Sequence, residues 1–255
     1  MMAEIVAKVK RDYIVSLAQQ DKRTDGRALD QVRQASIEKG LIQTANGSAR
    51  VKLGKTHVLV GVKLGKGEPF PDTPDSGILM VNSELLPMAS PTFESGPPRE
   101  ESVELSRVVD RGIRESETIE LAKLAIKSGE EVWTVFIDMD VLDHDGNLID
   151  AAALAAMAAL LNVKPPEDEA WTLPEFPVVQ RPVAVTVAKI NGKLLVDPDL
   201  EEEQVMDARL TLITKEDGSL CAMQKGGIGY FTQEEVAQAY SLAKEKAAEL
   251  RKLLG

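Results

Sequence analysis

The sequence has a single cysteine, Cys221, and only two histidines, His57 and His144. One thiol forms no intramolecular disulfide, so nothing here indicates an oxidising compartment. Soft and imidazole ligands are too few, and too widely spaced, for a zinc site. Aromatic residues make up 4%. No run approaches the roughly 18 consecutive apolar residues of a membrane span. The opening stretch, MMAEIVAKVKRDYIVSLAQQ, is charged and amphipathic and does not read as a signal peptide. A cytoplasmic protein is therefore expected. A surplus of positive charge is missing too: 30 basic against 41 acidic side chains leave a net charge of −11. Such a chain is repelled on average by nucleic acid, so any RNA contact must come from a local basic patch or a partner.

What is present suffices for a packed core. The 255 residues are 44% hydrophobic and 28% charged, which argues against wholesale disorder. Ile5, Val9, Tyr13 and Leu17 recur every four residues and predict one face of a first helix. After the turn RTDGR come three β-like stretches, QASIEKGLIQT, GSARVKL and THVLVGVKL. The loop GKGEPFPDTPDSG leads to the strand ILMVNSELL, and PMASPTFESGPPR follows it. Residues 100–127 read as helical in two pieces, ESVELSRVVDRGIRES and TIELAKLAI. A strand, EVWTVFIDMDVL, then precedes the helix LIDAAALAAMAALLN, whose alanines let neighbouring backbones approach closely and predict a buried helix.

A Pro-rich connector at about 164–182 opens the second half. There a meander of VAVTVAKI, KLLVD, ARLTLIT and LCAMQKG is expected, with Asn-Gly and Asp-Gly turns. A last helix runs from Thr232 to Leu253. Each half places strands before helices, which predicts an α+β fold of two mostly antiparallel sheets with helices between or against them. The halves divide at about 20–165 and 166–255 within one domain.

The polar turn DHDGNLIDAA, Asp143–Ala152, is the most distinctive local feature. It fails as an EF-hand: with Gly146 at loop position 6, Val141 and Ala152 fall where oxygen ligands are needed. It is also poor for phosphate, because it has no arginine or hydroxyl and adds the carboxylate of Asp150. The plain reading is a turn leading into a helix. The acidic run DPDLEEEQVMD holds six carboxylates in eleven residues. It reads as a solvated loop, with a magnesium or acid–base site as the alternative. Arg107, Arg111 and Arg114 lie at i, i+4 and i+7 on one helix face. Asp110 and Glu115 lie off that line, and Glu104 is spaced to pair with Arg107. The stripe suits a reader of RNA phosphates and an ion-pair ladder in an oligomer interface equally well.

Taken together, these segments resemble the ribonuclease PH family. RTDGR is similar to its arginine-rich motif near the N-terminus, and GSARVKLGKTHVLVGVK to its first hairpin. ELSRVVDRGIRES resembles its arginine-bearing helix, and DVLDHDGNLIDAAALAAMAAL its active-site strand–turn–helix. The likeness covers nearly the whole chain and implies the ribonuclease PH-like fold, of the ribosomal protein S5 domain 2-like type. Within the family, the non-catalytic subunits of the archaeal exosome are the most similar. Active members shorten RNA from the 3′ end with inorganic phosphate, held by Gly-Gly-Thr/Ser-Arg after the Asp-Gly pair. Here Gly146 is followed by Asn147, by Leu148 at the hydroxyl position and by Ile149 at the arginine position. Glu101 stands where an arginine begins the preceding helix, and Arg209 where a late aspartate is kept.

The resemblance thus implies a silenced phosphate loop. Losing one donor aimed at a developing anion costs about 3–4 kcal/mol, and exchanging two arginines for Ile and Glu adds repulsion. It further implies a hexameric ring of three heterodimers with a catalytic ribonuclease PH-like partner, RNA-binding cap subunits on one face, and RNA contact by Arg107, Arg111 and Arg114. Phosphate and Mg²⁺ would serve the assembled complex, with no cofactor or metal held by this chain. GKGEPFPDTPDSG would lie at the central pore. Two other readings remain: a self-sufficient phosphorolytic 3′→5′ exoribonuclease, and a carboxylate-rich metal-binding protein without an RNA role.

Overall fold

Alternating apolar residues build the first sheet. The computed structural model describes residues 2–255, with side chains from Lys10 onward. The strands are β1 (Ala35–Lys39), β2 (Gly47–Leu53), β3 (Thr56–Gly67), β4 (Ile78–Leu85), β5 (Ala125–Lys127) and β6 (Glu131–Asp143). Their order is β1-β2-β3-β6-β4, with β5 also paired to β6. All pairs are antiparallel except β4 with β6, which the intervening chain makes parallel. Ala49, Val51, Val58, Val60 and Val62 are fully buried. They form the inward face on which helix α3 (Leu148–Leu160) lies.

The second sheet comprises β7 (Val183–Ile190), β8 (Lys193–Val196), β9 (Ala208–Thr214) and β10 (Leu220–Gly226). The Asn-Gly turn is present as expected: Asn191 and Gly192 both take positive φ, +46° and +81°, and join β7 to β8. The meander is not. The order is β10-β9-β7-β8, so β9 pairs with β7 on the side away from β8. The chain reaches that position through helix α4 (Leu200–Val205), built from the acidic run. The expectation of a solvated loop is therefore corrected. Asp199 accepts the Glu202 N–H at 2.9 Å while Glu202 accepts the Asp199 N–H at 2.9 Å, a capping box that starts the helix.

Helix α3 packs against β2 and β3 on one side and β7 on the other. Of its thirteen residues, Ile149–Ala152 and Leu154–Leu160 are buried, which explains the alanines. Helix α2 (Glu100–Glu115) lies on β4 and β10. Helix α5 (Gln233–Arg251), capped by Thr232 and Glu235, lays Ala239, Ala243 and Ala247 on β7 and β9. One apolar cluster runs through both sheets. The second helical piece expected at TIELAKLAI is absent. Glu117, at φ +56°, ends α2, and only a 3₁₀ turn at Leu121–Leu124 precedes β5. Pairing with β6 claims this stretch for the sheet.

Helix α1 (Met2–Gln19) forms as its period implies, but its buried face is rotated. Tyr13 is 58% exposed, whereas Ile14 and Ala18 pack on Ala188, Ile190, Leu195 and Val205. The Ile5 and Val9 side chains lie outside the described residues. A spacing of four drifts by about 40° per step on a 3.6-residue helix, so a neighbouring row faces the sheet.

The RTDGR segment is anchored by charge. Arg23 reaches the Glu202 carboxylate through Nε at 2.8 Å and Nη2 at 2.5 Å, with both side chains almost fully buried. Removing one partner of a buried pair strands the other, at about 3–5 kcal/mol. Glu202→Gln should lower the unfolding free energy by about that amount in urea titrations. A loss under about 1 kcal/mol would contradict the anchoring role.

Candidate phosphate-loop site

The Asp143–Ala152 turn is fixed from three directions. Thr56 Oγ1 donates to the Gly146 carbonyl at 2.7 Å and accepts the Asp145 N–H at 3.0 Å. Arg33 donates to the carbonyls of Asp145 and Gly146 at 2.6 and 3.3 Å. Gly146 takes φ +84°, and a Cβ there would lie 2.4 Å from the backbone of Asp199, so only glycine lets the turn lie against the start of α4.

Asn147 then begins α3 in the left-handed conformation, φ +53°, with no side-chain cap. Its amide instead donates to Asp150 at 2.8 Å and to Asp197 at 2.7 Å. Its backbone N–H donates to Glu203 Oε1 at 2.9 Å.

These contacts close one end of a cavity of about 340 Å³. Glu101, Asn147, Leu148, Ile149 and Arg209, the five degenerate positions named from the sequence, all line it. They are brought together from α2, α3 and β9. Arg209 is engaged by Glu104 at 2.7 Å. Glu104 therefore does not pair with Arg107, as its spacing suggested, because it points across to β9 and also accepts from Gln224 at 3.3 Å. His144 stacks on Phe93 with centroids 5.3 Å apart, and burial lowers its pKa.

The field at this end is unsuited to an anion. Burial pushes the Asp150 carboxyl up to about 6 despite hydrogen bonds from Asn147 and Thr186. Burial likewise pushes Glu203 up to about 7, while the Asn147 N–H, Arg209 and Arg33 act in the opposite sense. A phosphate does not fit: the helix N-terminus faces a carboxyl and the turn has no arginine of its own. Among the described residues, no group of three or more His, Cys, Asp or Glu side chains is placed to hold a metal. Sequence reasoning missed Glu203 and Arg33. The Asp199-x-x-Glu202 capping pattern was the available sign that the acidic run folds back as helix.

The arginine stripe occupies a separate surface of α2. Arg107 is exposed and makes no hydrogen bond or ion pair among the described residues. Arg111 donates to the Met223 carbonyl at 3.2 Å and to Gln224 at 3.4 Å. Arg114 forms a two-pronged pair with Asp110, at 3.1 and 2.7 Å. Asp110 thus neutralises Arg114, one turn on, and not its neighbour Arg111.

Two antiparallel-rich sheets around a buried alanine-rich helix, entered through a glycine turn at the cavity, define a ribonuclease PH-like fold. The chain belongs to the 3′ exoribonuclease family: its domain 1 profile matches residues 31–166 and its domain 2 profile residues 180–246. The exosome complex component Rrp42 of Methanocella arvoryzae is 53% identical, over 100% of this chain and 98% of that protein. A chain of the solved Archaeoglobus fulgidus exosome with RNA bound to the active site superposes with a TM-score of 0.95. Its identity is 48%, over 98% of this chain and 100% of that one. A chain of an archaeal exosome core gives a TM-score of 0.91 and 44% identity, over 100% and 99%.

A pH dependence follows from the two raised carboxyls. Unfolded, Asp and Glu titrate near 4, so the folded state binds protons more tightly. The resulting stabilisation is complete below about pH 4 and fades as pH rises through about 6 for Asp150 and about 7 for Glu203. Glu203→Gln removes the second contribution. The variant's unfolding free energy relative to wild type should therefore rise between about pH 5 and pH 8. Urea titrations at both pH values check this, and a constant difference would contradict the assignment.

Proposed function

We propose that the chain is a non-catalytic, RNA-contacting subunit of an archaeal exosome ring that degrades RNA from the 3′ end with phosphate. The observation that carries this reading is the Asn147 N–H donating to the Glu203 carboxyl, in a turn where Leu148 and Ile149 replace a hydroxyl and an arginine. Whole-length identity of about half to exosome components supports the ring role. The partner is a catalytic ribonuclease PH-like subunit, in three heterodimers, with RNA-binding caps on one face. Phosphate and Mg²⁺ act in the partner's site. No helix is long and apolar enough to cross a membrane, and the cytoplasm is the proposed location. The alternative, a self-sufficient exoribonuclease, finds no support in the cavity, where carboxyls outnumber free cations.

Purified chain incubated with labelled poly(A), Mg²⁺ and millimolar phosphate should release no nucleoside diphosphates. Release at a rate comparable to the assembled complex would defeat the proposal.

Of the three α2 arginines assigned to RNA, Arg107 is the one without a partner among the described residues. Arg107→Glu should weaken RNA binding by the intact ring and reduce the slope of log affinity against log salt by about 0.7 for each phosphate no longer neutralised. Size-exclusion chromatography must first show that the ring persists. An intact ring with unchanged affinity and slope would exclude RNA contact at Arg107, whereas dissociation would assign it to the subunit interface.

A further inference from the structure

A helix N-terminus presents unpaired N–H groups and a positive dipole end, the arrangement that binds anions. In α3 that position is filled from within the chain. Glu203, on α4, places Oε1 2.9 Å from the Asn147 N–H. It is held there by construction, because α4 is started by its own capping box and the turn lies against Asp199 through Gly146. The Arg23–Glu202 pair ties the adjacent residue of α4 to the opposite side.

We propose that Glu203 is an intramolecular plug: its carboxyl occupies the anion position of the turn and autoinhibits it independently of the missing arginine and hydroxyl. This rests on the reading of the turn as a silenced phosphate loop, and deepens it. Silencing by deletion and silencing by occupation differ in their reversal. If only donors were missing, restoring them would restore anion binding. If the position is also filled, restored donors would meet a carboxyl already in place and a phosphate would be refused.

The groups around Glu203 favour a seated carboxyl over an incoming multivalent anion. Glu101 and Glu104 from α2 line the same cavity, with His144 from the turn and Arg209 from β9. Asp150 acts from α3, and Arg33 acts from beyond the turn. Of the two cations, Arg209 is paired with Glu104 and Arg33 with Asp197. A single carboxyl that can take up a proton is tolerated here. A phosphate would add repulsion from Glu101 and Asp150, while Arg209 and Glu104 largely offset each other.

The test compares inorganic phosphate binding, by calorimetry and ³¹P line broadening, in two variants of the full chain. One carries Leu148→Thr and Ile149→Arg, and the other adds Glu203→Ala. The triple variant should bind phosphate at least about tenfold more tightly than the double, since charge-assisted hydrogen bonds then form at the vacated N–H. Equal affinity in the two, or binding by neither, overturns the plug. Because Ile149 is buried and its replacement by arginine risks the fold, the wild-type chain supplies a second readout. The Asn147 amide proton should shift with a midpoint near the Glu203 titration at about 7, and Glu203→Gln should abolish that shift. An amide that ignores the titration overturns the proposal even if the variants do not fold. Phosphate-dependent RNA shortening by the wild-type chain would instead count against the proposed function, leaving the amide readout to judge the plug.

Discussion

The buried carboxylate of Asp197 is the contact on which the site depends. It is 1% exposed, and burial alone would raise its pKa. Arg33, donating from its backbone N–H, Nε and Nη2 at 2.8, 2.9 and 2.7 Å, together with the Asn147 amide, holds it below the ordinary carboxylate range. Arg27 adds a contact at 3.0 Å. One side chain thereby joins the RTDGR segment, the approach to β1, the end of β8 and the start of α3. Backbone atoms extend the junction, for the Asp197 carbonyl accepts from Arg23 at 2.8 Å and its N–H donates to the Thr186 carbonyl at 3.0 Å. A charge this far from water persists only when its lone pairs are satisfied, so the two halves of the chain are fixed together at this point.

That junction leaves the basic residues near the turn committed. Arg23 serves Glu202, Arg27 and Arg33 serve Asp197, and Arg209 serves Glu104. What reaches the cavity is the surplus of acid, and Asp150 and Glu203 respond by holding protons above their usual range. Around the turn, carboxyls line the cavity while the nearby cations are held in ion pairs. Thr56, Gly146 and Arg33 still shape the loop, because they bind its backbone rather than a ligand.

Much of the fold was legible in the sequence because its signals are local. The alternation in GSARVKL and THVLVGVKL, the Asn191-Gly192 turn and the alanines of α3 each determine structure through near neighbours. The order of the second sheet was not legible, since it depends on six residues of α4 whose helix is stabilised by a capping box and by Arg23, 179 positions away. The five degenerate positions read from the family likeness do line one cavity. Glu203 escaped notice because its partner is 56 residues distant, and a string of glutamates resembles a solvated loop until a buried arginine claims one of them. On α2, helical spacing placed the three arginines on one face but could not choose their partners. Glu104 was drawn to Arg209 across the helix–sheet packing, and Asp110 to Arg114 along the helix.

The division of labour among the arginines follows from where they sit. Those close to the turn are largely buried and each is ion-paired inside the protein, where an unpaired guanidinium is costly. The α2 stripe faces solvent, where an unpaired cation costs little and a surface pair contributes about 0–1 kcal/mol. In a chain of net charge −11, an Arg107 without a partner among the described residues, beside one neutralised arginine and one tied to β10, is not explained by the stability of the isolated fold. Its field favours an anionic partner at this face of α2. The cavity at the turn gathers carboxyls, while Arg107 on the helix beside it has no partner among the described residues.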